Sequence, residues 1–142
     1  MEQIHIKATI HHNVETIWNA YTSAEDIKQW NHATPDWHCT QAINDLRVGG
    51  KFSHRMEAKN GSLGFDFEGT YTEIIPFQSI AYTMPDGRTV TVKFDGHRNL
   101  TDVSVTFDPE NENPIDMQRN GWQAILTNFK NYVERTYGNT NL

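Results

Sequence analysis

The chain's 142 residues are about one domain's worth, long enough to bury a core without a structural metal or a disulfide. Its 12 Lys and Arg against 18 Asp and Glu give a formal net charge of −6 with the bases scattered, which excludes affinity built on nucleic-acid phosphates. The lone cysteine, Cys39, excludes an intrachain disulfide, no apolar run approaches the roughly 20 residues of a bilayer crossing, and the opening Met-Glu-Gln-Ile-His-Ile has neither the basic start nor the apolar run of a secretory leader, so the expectation is a cytoplasmic single domain over 1–142 with no membrane insertion.

Ile4, Ile6, Ala8 and Ile10 alternate with polar residues and predict a first strand, which His11 and His12 end. Asn13 then stands where a helix N-cap belongs, ahead of Val14, Ile17, Trp18 and Tyr21 at three- and four-residue spacing. A second short helix, Ala24 to Trp30, follows Ser23. The next stretch, "NHATPDWHC", contains His32, Asp36, His38 and Cys39, but their spacing fits no standard zinc pattern and no second cluster completes four ligands. It reads as a loop capping a cavity mouth, with Trp30 and Trp37 as its apolar underside, and neither a metal nor a cofactor is expected.

"DLRVGGKF" poses a sharper question, because a glycine pair can cradle a phosphate. Gly49-Gly50 has no lysine-serine continuation and no helix behind it, so the context that a phosphate loop requires is missing. A turn into a bent strand is the reading that remains. Alternation resumes at Phe52, His54 and Met56, then at Phe65, Phe67, Gly69 and Tyr71, with Gly64 and Gly69 as further sites where a strand could curl. Ile80, Tyr82 and Met84 mark another strand, Val90, Val92 and Phe94 the next, and Val103, Val105 and Phe107 the last, separated by turn formers such as Pro85-Asp86-Gly87 and Asp95-Gly96. Met117, Trp122, Ile125, Leu126, Phe129, Val133 and Thr136 trace one stripe of a long terminal helix that Gly138 stops. A curved antiparallel meander needs its inner face covered, and only that helix is large enough, which predicts an α+β fold with the sheet gripping the helix.

The segments "VETIWNAYT", "DIKQW", "DLRVGGKF", "FEGTYTEIIPFQSIAYT" and "GWQAILTNFKNYVE" together resemble the successive signatures of the activator-of-heat-shock-protein-90-ATPase-like proteins of the SRPBCC, or START-like, superfamily. The resemblance covers nearly the whole chain in order. It implies a helix-grip fold: a curved antiparallel sheet wrapped around the long C-terminal helix, two short helices after the first strand, and a cavity that in many relatives holds an apolar ligand. It implies no single activity, because the superfamily includes lipid carriers, polyketide cyclases, self-sacrificing resistance proteins and cochaperone domains. The eukaryotic namesake carries an additional N-terminal domain that engages the chaperone, for which 142 residues leave no room.

Parity turns Phe52, Phe65, Phe67, Tyr71, Tyr82 and Phe94 toward the helix stripe. The expected ligand site is Phe52, His54, Phe67, Tyr71, Tyr82 and Phe94, faced by Trp122, Ile125 and Phe129. Tyr71 and Tyr82 bring hydroxyls that would orient a ligand. His54, between Phe52 and Met56, must either satisfy both ring nitrogens, the commoner case in a core, or meet a polar ligand. Arg47 and Arg55 would meet an anionic head or simply be solvated and paired. Asp66 and Glu68 fall on the wetted face, whereas Glu73 shares the inward parity unless a bulge intervenes, making it the acid to test. No serine or cysteine sits in a nucleophile motif. The leading expectation is therefore binding of a lipid-like or aromatic small molecule. The alternatives are a cyclase- or hydrolase-type enzyme using His54, Glu73 or a cavity tyrosine, and a cochaperone-like domain with a chaperone or another protein as its partner in a stress response.

Overall fold

In the computed structural model, which describes residues 2–138, strand β1 (Ile4–Ile10) alternates buried and outward residues as its sequence does. Helix α1 (Val14–Thr22) starts where Asn13 accepts the Thr16 backbone N–H on its side-chain oxygen at 2.9 Å, and α2 (Ala24–Trp30) follows directly. These helices carry the chain from one edge of the sheet to the other. The meander then runs β2 (Trp37–Asn44), β3 (Lys51–Ala58), β4 (Gly64–Ile75), β5 (Ser79–Thr83), β6 (Thr89–His97) and β7 (Leu100–Phe107). All pairings are antiparallel, in the order β1-β7-β6-β5-β4-β3-β2, and the sheet curls into a half-barrel. Helix α3 (Ile115–Thr136) begins two residues ahead of the expected Met117 and crosses the concave face as one piece.

The turn question is answered by backbone geometry. Gly49 has φ of +84°, a conformation that side chains with a Cβ rarely take, and a Cβ on Gly50 would lie 2.2 Å from the Asp45 carbonyl oxygen. The Gly49 N–H donates to the Tyr71 carbonyl at 2.8 Å and the Tyr71 N–H to the Gly50 carbonyl at 2.9 Å. Those bonds tie the turn to the middle of β4.

Three expectations need correction. Trp37 opens β2 rather than lying in a capping loop. The strand escaped the periodicity because its bulge between Cys39 and Gln41 leaves Thr40 and Gln41 both exposed, and as an edge strand it pairs with β3 alone. A second bulge, between Tyr71 and Glu73, turns Glu73 outward, where its carboxylate accepts the Ser79 hydroxyl at 2.8 Å. Phe65 keeps its parity but is 51% exposed, because β4 runs on past the end of its neighbour β5.

Candidate ligand-binding site

Unequal strand lengths open the site. The β4–β5 ladder begins at Thr70 opposite Thr83, so residues 64–69 of β4 are paired to β3 on one side and, among the described residues, have no strand on the other. The notch in the sheet lies beside the β5–β6 turn. Helix α3, meanwhile, packs close to β1, α1 and α2 and stands off from β3, β4 and β5. Side chains do not fill the gap, and a cavity of about 480 Å³ remains. Its exposed lining residues, Phe65, Asp66, Glu68, Pro85 and Asp86, mark the opening.

Phe52 sits at the centre of the inner wall, with ring centroids 4.8 Å from Tyr82, 5.0 Å from His54, 5.3 Å from Tyr71 and 5.6 Å from Phe67. This wall closes up only because residue 69 is glycine: a Cβ there would come within 2.5 Å of the Phe52 ring and 3.0 Å of the Tyr82 ring. From α3, Trp122 lies flat on Phe107 at 4.0 Å and meets Phe67 edge-on at 6.1 Å, bridging from β7 to β4 across the cavity. Tyr21, Ile27, Trp30 and Asn31 line it from the two short helices.

Of the residues the sequence marked, Phe52, His54, Phe67, Tyr71, Tyr82, Trp122 and Ile125 line this cavity. Phe94 and Phe129 do not. Phe94 is buried against Trp18 at 5.1 Å and Tyr21 at 5.5 Å, and Phe129 against Trp30 at 4.8 Å and Tyr21 at 5.1 Å, so both support the α1–α2 side from behind. Tyr21 and Asn31 were missed as lining, while Trp30, expected beneath a loop at the cavity mouth, lines the cavity from α2. The available signal was a tyrosine on the inward stripe of α1, an amphipathic ring that needs a use for its hydroxyl.

The polar groups of the wall are neutral. His54 Nδ1 accepts the Asn31 side-chain amide at 3.1 Å, which leaves the proton on Nε2, and that atom is buried with no partner among the described residues. Burial lowers the His54 pKa from 6.5 to about 4. Tyr71 donates its hydroxyl to Asn44 Oδ1, and Asn44 in turn donates to the Thr22 carbonyl at 2.6 Å. Burial pushes Tyr21, Tyr71 and Tyr82 well above the usual phenol range. The carboxylates of the lining, Asp66, Glu68 and Asp86, stand at the opening, and Arg88 is held there by Asp86 at 2.7 Å. Arg47 pairs with Asp45, and Arg55 with Glu57 and Asp66, all at the surface.

The tempting ligand cluster of the first loop does not converge. His32 takes the Asn128 amide, Asp36 binds Thr34, and Cys39 is a buried thiol, raised by that burial, that donates to the Gln41 carbonyl at 3.5 Å. Among the described residues, the group of side chains close enough to share an ion is Asp95, His97 and Asp102, on the open β6–β7 hairpin away from the cavity. No helix among the described residues is long and apolar enough to cross a membrane.

A curled antiparallel sheet gripping a C-terminal helix, with an apolar cavity between them, defines the helix-grip class of the SRPBCC, or START-like, proteins. Within that class the chain belongs to the family described as Activator of Hsp90 ATPase homolog 1-like protein, whose pattern matches residues 11–134. The solution structure of an AHSA1-like protein from Aeromonas hydrophila is 43% identical, covers 97% of this chain and 96% of its own, and superposes with a TM-score of 0.91. Chr148 from Cytophaga hutchinsonii is 39% identical over 95% of this chain and 94% of its own, with a TM-score of 0.81. The Aha1 dimer from Colwellia psychrerythraea shares the fold at 21% identity, 97% and 98% coverage and a TM-score of 0.70. No curated protein matches the chain.

Proposed function

We propose that the protein binds an apolar small molecule, lipid-like or aromatic, in the cavity between β3–β5 and α3. The observation that carries this reading is an aromatic-walled space of about 480 Å³ that opens through the β4 notch. Such a volume falls within the usual range for small-molecule sites, and preformed walls lose little freedom when a ligand enters. The enzymatic alternative has lost one of its acids, because Glu73 lies outside on the bulge.

Native mass spectrometry of the purified protein should show a retained apolar ligand. An environment-sensitive apolar dye should bind at one saturable site that the ligand displaces. Ile125→Trp, which fills the cavity from α3, should weaken dye binding about tenfold or more while unfolding stays cooperative. If the wild type takes no dye and Ile125→Trp instead loses about 1–3 kcal/mol, the cost of overpacking a filled core, the ligand reading is wrong. A cochaperone-type role then takes precedence. Family membership supports that second reading, as do the exposed Ile43 and Val48 near the β2–β3 turn, and stimulation of a chaperone ATPase would test it.

A further inference from the structure

We propose that the ligand is a neutral carbonyl compound, such as a ketone, quinone, ester or lactone, whose oxygen is held at the cavity wall by the Nε2–H of His54. The inference rests on the apolar-ligand reading of the same site and narrows its chemistry.

Burying a histidine among aromatic rings carries a cost. His54 is 7% exposed and stands in an aromatic wall, 5.0 Å from Phe52 and 6.1 Å from Phe67 by ring centroids. Phenylalanine would fit such surroundings, yet the chain places there a ring with two polar atoms. One of them is satisfied and fixed: the amide of Asn31, itself buried at the end of α2, donates to Nδ1 at 3.1 Å. That bond sets the tautomer and leaves Nε2–H a donor without a partner among the described residues. A buried donor in this condition is destabilising, and an acceptor supplied by a ligand removes the penalty.

The rest of the lining selects among acceptors. Tyr21 and Tyr82, which also line the cavity, carry hydroxyls engaged by no hydrogen bond among the described residues, and each can donate to a ligand as well as accept from one. The inner wall is uncharged, since burial keeps the phenols protonated and His54 neutral near pH 7. A carboxylate would find no free cation in the lining, because Arg88 is tied to Asp86 at the opening. Losing its hydration for neutral donors alone is unfavourable for an anion. An amine would bring a donor to the His54 donor. A carbonyl oxygen accepts without carrying charge, and its hydrocarbon body suits the aromatic walls.

Two probes of matched shape test this, 2-acetylnaphthalene and 2-isopropenylnaphthalene, which differ by C=O against C=CH₂. Each is titrated into the wild type and into His54→Phe by tryptophan fluorescence. The expected result is that the affinity ratio of ketone to hydrocarbon falls about tenfold in His54→Phe, through loss of ketone affinity, while the hydrocarbon binds as well or better. In the wild type, the imidazole Nε2–H resonance should shift with the ketone and not with the hydrocarbon, a readout that stands if the variant does not fold. An unchanged ratio in a folded His54→Phe, an Nε2–H signal indifferent to the ketone, or a proton found on Nδ1 would each overturn the carbonyl assignment while leaving the apolar site in place. If neither probe saturates the wild type, the assignment and the site reading fall together.

Discussion

Around Phe129 the interior is closed. Phe129 is fully buried, as are Ile10, Ile17, Val103 and Val133, and α3 runs close along β1 and the two short helices. Around Phe52 the same helix stands away from the sheet, and among the aromatic side chains Tyr71 and Tyr82 carry a hydroxyl and His54 its imidazole nitrogens. Both regions belong to one continuous hydrophobic core, built on one sheet and one helix. The difference shows a division of labour: close packing on the β1 side supplies stability, so the β3–β5 side can leave volume open and hold a donor without a partner among the described residues.

Truncating one ring on each side tests the difference in packing most directly. Phe129→Ala should cost about 3–5 kcal/mol in denaturant unfolding, the usual loss for a large ring removed from a packed site. Phe67→Ala, on the half-buried cavity wall, should cost about 1 kcal/mol, because its ring already borders empty space, and should weaken apolar-dye binding. Equal losses at the two sites would mean that the cavity side is packed as tightly as the other.

Acid should separate the regions by pH window. Unfolded His54 titrates near 6.5 and folded His54 near 4, so between these values the unfolded chain binds more protons and falling pH favours unfolding. The cavity side should therefore lose on the order of 2–3 kcal/mol as pH drops from about 6.5 to 4, and His54→Phe should abolish that slope. On the other side, burial works against ionised Glu134, but hydrogen bonds from Lys130 at 2.8 Å and from His11 at 2.9 Å hold its pKa down to about 2. Its contribution is present above its ordinary value near 4.5 and is lost as pH falls through about 2. For this partly exposed carboxylate the loss should be on the order of 1 kcal/mol. Urea unfolding across pH in the wild type, His54→Phe and Glu134→Gln would resolve the two windows, and a single shared transition would contradict the separation.

A smaller effect sharpens the boundary. Gly49→Val places a β-branched residue at positive φ in the turn bonded to Tyr71, and should cost about 1 kcal/mol or somewhat more. Because Tyr71 lines the cavity, dye affinity in that variant reports whether the turn also positions the wall. Saturable nucleotide binding that the substitution removes would reopen the phosphate-loop question.

The helix α3, the inward parity of Phe52, His54, Tyr82 and Val92, and the turn at Gly49 were all legible in the sequence, because each depends on neighbours a few residues away. A period of two or of 3.6 is a local property, and so is the need for glycine in a tight turn. What required the tertiary structure was whatever joins distant segments. β2 is an edge strand whose bulge broke the alternation, and the bulge in β4 reversed Glu73; neither bulge has a signature in composition. The sequence placed Phe94 and Phe129 in the ligand site with the rest of the inward stripe, since periodicity says which face is buried but not which part of that face meets another wall. The stand-off between α3 and β3–β5 decides that, and it follows from the summed volumes of side chains on several elements. His54 shows the limit most clearly. Its burial could be read from Phe52 and Met56 beside it, but its partner, Asn31, lies 23 residues earlier on another element, and only the folded chain leaves Nε2–H without an acceptor among the described residues.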